Sequence, residues 1–249
     1  MSLVRELTYF LGLQVNQMGH NIFISKRKYA KNIVKNFGLD KESYERTRVV
    51  THVKLSRDDN GVNVYQSLYR NMIGSLVYLT ISKLGIAFFV GVCDRYQAKP
   101  KASHITQVKR IMKYINETCH YGNLYSHDTN SILVAYCDVD WDESVDDRKS
   151  TYGVCLYLGN NLISWFSKKQ NHVSLSTIEV EYIDARSSCT QLLWMKQMLK
   201  EYNVKQDVMT LYRDNSSAIN ISKNLFQHSQ PSTLPFVIIS SGNLWKIKL

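Results

Sequence analysis

Residues 134–153 read VAYCDVDWDESVDDRKSTYG. The stretch opens as an apolar strand and then crowds Asp138, Asp140, Asp142, Glu143, Asp146 and Asp147 into a short span. Acids at the end of an apolar strand have two physical readings. One is a solvated acidic loop. The other is a divalent-cation site, because Mg²⁺ takes hard oxygen donors. The choice between them depends on which other acids the fold brings to the same edge.

The surrounding composition narrows the possibilities. The chain has 249 residues, enough for one large domain or two smaller ones. Hydrophobic residues make up 44%, and only 3 Pro and 11 Gly are present, which argues against long low-complexity segments. Lys and Arg number 31 against 21 Asp and Glu, a net charge of +10, which favours polyanionic partners such as nucleic acid. The 5 Cys form no CxxC pair, so neither a zinc site nor a disulfide framework is expected. Reduced thiols imply an intracellular protein, cytoplasmic or nuclear. The N-terminus lacks a signal-peptide core, and no run approaches the roughly 20 apolar residues of a membrane helix, so no membrane partner is expected.

Along the chain, LTYFLGLQV and NIFIS flank a QMGH turn and predict a hairpin over 7–25. A basic helix follows at 27–37, with Gly38 at its C-cap. Residues 65–97 read as packed helices, and Pro100 opens another over 101–118. There Lys109, Arg110 and Lys113 lie off the apolar stripe, as a solvated face or as contacts to a phosphate backbone. Residues 121–130 have turn composition and separate a mainly helical first part from a second pattern. That pattern is strand (132–139), strand (151–158), strand (162–168), helix (177–202), strand (208–214) and helix (215–224). It implies an α/β fold, a mixed sheet with flanking helices.

Three elements of this second part carry an acid near one end. Asp138 ends the first strand, Glu181 lies in the first turns of the long helix, and Asp214 ends the fourth strand. Strand ends and helix starts converge at one edge of such sheets, where ligands bind. Ser176 and Glu179 make a capping box, which leaves Glu181 as the better ligand candidate. The helix core stripe is expected at Ile178, Tyr182, Ala185, Cys189, Leu192 and Leu199, with Trp194 packed as well. Asp146 and Asp147 are expected to serve the DDRKST turn, by capping or by pairing with Arg148.

The order YCDVDWDESVDDRKSTYG, then LISWFSKKQ, SLSTIEVEY and LYRDNSSA, resembles the ribonuclease H domain of copia-type LTR retrotransposon Pol polyproteins. Upstream, FLGLQV, KYAKNIVKNFG, LYRNMIGSLVYL and KASHITQVKRIMKYI resemble the reverse-transcriptase segment that precedes it. The resemblance divides the chain into a C-terminal reverse-transcriptase remnant over 1–126 (palm end, thumb and connection), an RNase H-like domain over 127–230, and a tail over 231–249. It implies an RNase H-like fold and hydrolysis of the RNA strand of RNA·DNA hybrids. Two Mg²⁺ or Mn²⁺ ions about 4 Å apart would be held by carboxylates. By resemblance, Asp138, Glu181 and Asp214 are the catalytic and metal-binding residues, with Asp138 bridging the ions. Asp140 and His228 are accessory candidates, and Lys168 and Lys169 join Lys109, Arg110 and Lys113 as nucleic-acid contacts. The rest of the Pol polyprotein is the implied partner in a parent element.

The chain departs from this pattern in three places. The Y-x-D-D polymerase motif is absent, so no DNA synthesis by this chain alone is expected. SKLGIAF (82–88) stands where the family reads S-R-P-D-I, and the basic and acidic residues look shifted or lost. After HSQ (228–230) the chain reads PSTLPFVIISSGNLWKIKL, whose back-translation one frame away yields K-H and R-H-H-F-I-R-E patterns like the family's final helix. The tail is therefore read as a frameshift product, which makes the chain a truncated copy. It contains no Asp or Glu to supply a fourth carboxylate, so the second metal site is expected to be weak. The alternative reading is a catalytically dead nucleic-acid-binding fragment or a pseudogene product.

Overall fold

The computed structural model describes residues 8–41, 55–140, 144–171, 173–174, 176–212, 237–241 and 244–248. The chain divides into two units, Met1–His127 and Asp128–Leu249.

In the first unit the short apolar runs before residue 25 form three strands, β1 (Tyr9–Phe10), β2 (Leu13–Met18) and β3 (Asn21–Ser25), paired antiparallel. The single hairpin read from the sequence is thus two. The extra turn is at Leu11 and Gly12, both at positive φ (48° and 77°). Glycine is required there for space as well. A β-carbon on Gly12 would sit 2.5 Å from the Tyr78 hydroxyl oxygen. That hydroxyl donates to the Leu11 carbonyl at 2.7 Å. A fourth strand, β4 (Asn123–Ser126), pairs with β3 and completes the order β1-β2-β3-β4. The expectation of a mainly helical first part with a turn at 121–130 is corrected by this sheet.

Four helices follow the sheet's first three strands in sequence: α1 (Arg27–Asn36), α2 (Gln66–Thr80), α3 (Leu84–Asp94) and α4 (Ala102–Glu117). Helical spacing puts Ile33, Val34, Met72, Leu76, Leu79, Val90, Val108, Ile111 and Ile115 into one core. Three lysines are buried with it, each on main-chain carbonyls. Lys26 donates to Tyr78 O at 2.7 Å and lies 3.3 Å from the centroid of that ring. Lys83 donates to Thr118 O at 2.5 Å and to Tyr121 O at 3.3 Å. Lys101 donates to Gly61 O at 2.9 Å and Asp59 O at 3.3 Å. Lys83 thus occupies the basic position of the SKLGIAF segment.

In the second unit β5 (Leu133–Asp140), β6 (Thr151–Leu158) and β7 (Asn161–Lys169) form an antiparallel meander. The long helix α5 (Thr177–Glu201) starts at the Ser176 N-cap read from the sequence, with the Glu179 amide donating to Ser176 Oγ at 3.2 Å. It leads to β8 (Val208–Tyr212), which pairs parallel to β5. Two strands come from the tail, β9 (Val237–Ser241) and β10 (Leu244–Lys248), where no element was expected. The six-stranded order is β7-β6-β5-β8-β10-β9, a mixed sheet with β10 antiparallel to β8. Strand alternation sends Leu133, Ala135, Cys137, Val154, Leu156, Met209 and Leu211 under α5, against Ala185, Cys189 and Leu192. Trp194, expected to pack, is 51% exposed. The helix read over 215–224 lies outside the described residues. The protein is thus α/β, with one antiparallel sheet, one mixed sheet and five helices among the described residues. None of those helices is long and apolar enough to cross a membrane.

Candidate functional site

Asp138 stands near the end of β5, exposed, on the strand face away from α5. Its antiparallel partner is Gly153, which has no side chain to crowd the carboxylate. A β-carbon there would meet nothing closer than the Phe166 carbonyl oxygen at 3.9 Å, so the glycine leaves space beside Asp138. Asp140 is the last residue of the same strand. Glu181 lies in the second turn of α5, the helix packed against β5. The side chains of Asp140 and Glu181, and all of Asp214 and His228, lie outside the described residues. Among the described residues no group of three metal-ligating side chains comes together.

The seam between β5 and β8 is pinned on both faces. Away from α5, the Tyr136 and Tyr212 rings stack at 4.8 Å and 9°, and Tyr157 meets Tyr136 edge-on at 5.6 Å. Under α5, the Cys137 thiol donates to Tyr212 O at 3.6 Å. Asp184, on α5 one turn after Glu181, is fully buried there. Its carboxyl is hydrogen-bonded to Cys137 and to the Ser188 hydroxyl (3.4 Å). Burial pushes that carboxyl up to about 7, and the nearby charge of Asp138 adds to the rise, against the lowering effect of the two hydrogen bonds. The sequence reading missed Asp184. Its signal was an acid four residues from Val180 and from Ser188 and eight from Leu192, on a helical stripe otherwise small or apolar.

Around this geometry the whole chain can be compared with known proteins. It is 31% identical over 243 residues, 92% of its length, to the retrovirus-related Pol polyprotein from transposon TNT 1-94 of Nicotiana tabacum. It is 29% identical over 226 residues, 90% of its length, to that from transposon RE2 of Arabidopsis thaliana. The chain belongs to the copia-type Pol polyprotein family of retrotransposons. It spans 17% and 16% of the lengths of those two polyproteins. An uncharacterized mitochondrial protein of Arabidopsis thaliana is similar as well, 32% identical over 188 residues, 75% of this chain and 77% of that protein. No family model and no solved structure matches the chain.

In this copia-type Pol segment the DDRKST turn is held by an ion pair. Asp147 pairs with Lys169 at 2.7 Å, and Lys169 also donates to Ser144 Oγ at 3.1 Å. The Lys149 amide donates to Asp147 at 3.4 Å, so this acid does serve the turn. Burial alone would raise the Asp147 carboxyl, but hydrogen bonds from Lys169 and Ser144, the Lys169 charge and the Lys149 amide outweigh it and hold it below its usual value. Lys169 therefore braces the turn at the end of β7, whereas Lys168 beside it is exposed. In the first unit Lys109 is exposed on α4, and Arg110 and Lys113 are half-buried.

Proposed function

We propose that the second unit is an RNase H-like domain that hydrolyses the RNA strand of RNA·DNA hybrids with divalent metal ions, Asp138, Glu181 and Asp214 being its acids. The observation that supports this reading most is the parallel register of β5 and β8. Tyr136 lies opposite Tyr212, and positions 138 and 214 each follow these paired residues by two in the sequence. Both are aspartates in the sequence. Glu181 stands on the helix packed against β5. The donor set is all carboxylate, which suits Mg²⁺ or Mn²⁺. Such ions, when bound, activate water and stabilise the leaving oxygen. The chain's part is to hold Asp138 at an open strand end with Gly153 beside it, and to set the acids' elements in register. His228 and Asp140 remain accessory to this reading. The basic side chains Lys109, Arg110, Lys113 and Lys168 would meet the hybrid backbone, by shape and not by sequence. In a parent element the rest of Pol would be the partner.

Residues 231–249 contain no Asp or Glu. The test is Mg²⁺-dependent cleavage of an end-labelled RNA·DNA hybrid by the full chain, with Asp138→Asn alongside. Cleavage abolished in Asp138→Asn supports the reading. Salt-sensitive hybrid binding with no cleavage, equal in both proteins, supports the alternative of a nucleic-acid-binding fragment.

A further inference from the structure

Four buried polar groups of the second unit are linked in series. Ser188 and Asp184 are on α5, Cys137 is on β5, and the Tyr212 carbonyl is on β8. Each of these elements carries, or leads to, one of the acids just discussed. Glu181 precedes Asp184 by one helical turn, Asp138 follows Cys137, and Asp214 follows Tyr212 by two residues. Asp184 and Ser188 are both 0% exposed, and Cys137 is 8% exposed, so the series runs inside the core and makes no contact with solvent-borne ligands itself.

We propose that Asp184 and Cys137 are positioning residues, which fix α5, β5 and β8 relative to one another so that the carboxylates of Glu181, Asp138 and Asp214 converge on one cation. The inference rests on the metal reading above and goes beyond it to two side chains that touch no ion. Two physical considerations favour it. A thiol is a weak donor, and a carboxyl at this depth loses hydration, so the series adds little to stability compared with apolar packing of the same volume. Hydrogen bonds are directional, however, where the apolar neighbours Ala135, Ala185, Cys189 and Leu192 are not, and they fix how far β5 and α5 slide along each other. The residue they grip on β5 is the immediate neighbour of Asp138, so a slide there displaces that carboxylate directly.

The experiment is Mn²⁺ binding to the full chain, followed by electron paramagnetic resonance, with thermal unfolding in parallel. Asp138→Asn tests the metal reading itself. Wild-type chain that takes up no Mn²⁺, or takes it up equally in Asp138→Asn, overturns that reading and the positioning role with it. Given binding that depends on Asp138, the double variant Cys137→Val with Asp184→Leu is expected to unfold at or above the wild-type temperature while its Mn²⁺ affinity falls tenfold or more. Asp184→Asn, which keeps the shape and a hydrogen bond to Cys137, is expected to stay within about threefold of wild type, reflecting a geometric and not a coulombic role. Wild-type affinity in a folded double variant overturns the positioning role alone. If the double variant does not fold, Asp184→Ala against Asp184→Asn carries the same comparison. Tenfold loss in the first with rescue in the second supports the role, and equal affinities overturn it.

Discussion

The two units bury opposite kinds of charge-bearing group. The first holds the ammonium groups of Lys26, Lys83 and Lys101 in its helical core, and the second holds the carboxyl of Asp184 between a helix and a sheet. The lysines all end on main-chain carbonyls. Tyr78 O belongs to the last turn of α2 and Thr118 is the C-cap of α4, where helix carbonyls lack partners and carry partial negative charge. A helix end therefore offers an ammonium what it lost from water. Under α5 the strand amides are committed to the ladder, and the Asp184 carboxyl is bonded to a thiol and a hydroxyl. Burial lowers Lys26 and brings Lys83 down to about 8, while it raises Asp184 to about 7. Burial thus moves both kinds of group towards the neutral form, with main-chain carbonyls as partners in the first unit and side chains in the second.

That contrast can be broken most sharply at Asp184. Its carboxyl stands at about 7 in the folded chain against 3.8 unfolded, so between those values the folded state binds more protons and stability falls as pH rises. Relative to Asp184→Asn, wild type is expected to lose up to about 4 kcal/mol from pH 4 to pH 7 and nothing more above it, read from urea unfolding midpoints. A difference that does not change with pH would show the carboxyl to be charged throughout. Next in size is Lys83→Met, which leaves the Thr118 and Tyr121 carbonyls without their donor and is expected to cost about 2–3 kcal/mol at pH 7. Here the sign with pH is reversed. The unfolded lysine keeps its proton to 10.5 and the folded one only to about 8, so wild-type stability rises across that window and the variant's does not.

Smaller effects sharpen the comparison at the edges of each unit. Gly12→Ala meets both the positive φ and the Tyr78 hydroxyl, with an expected loss of about 1–2 kcal/mol. Part of it should return in a Tyr78→Phe background, and full additivity of the two substitutions would refute the contact. Asp147→Asn breaks a partly exposed ion pair and is expected to cost under about 1 kcal/mol, with the difference shrinking in high salt.

Much of the second unit was legible because its signals are local. Alternation in LVAYCDVD and TYGVCLYL and the Ser176–Glu179 capping box mark β5, β6 and the start of α5 within a few residues. β4 was not legible, since NLYS is too short to show alternation and is a strand only because β3 lies beside it. Gly122 permits that approach, as a β-carbon there would collide with the Ile24 carbonyl. β9 and β10 are strands by pairing with β8 and with each other, which composition does not encode. Trp194 misled because an aromatic on a long helix is counted as core, whereas α5 faces the sheet with its small residues, Ala185, Ser188 and Cys189. For the site, Asp138 was readable from its place at a strand end. Asp184 was marked only by its helical spacing from Val180, Ser188 and Leu192, and its burial shows only once the sheet beneath α5 is known.

The sheet order also sets a timetable. β5, β6 and β7 are successive in the chain, so their ladders close over short loops. The seam between β5 and β8 joins Val134 to Thr210 and has to wait until α5 has been made. Loop-closure entropy and the direction of synthesis both place that pairing after the meander. On a chain leaving the ribosome, the stack of Tyr136 on Tyr212 and the thiol link to Tyr212 are thus acquired late. Whatever chemistry Asp138 performs waits for that seam, after the meander is already in place.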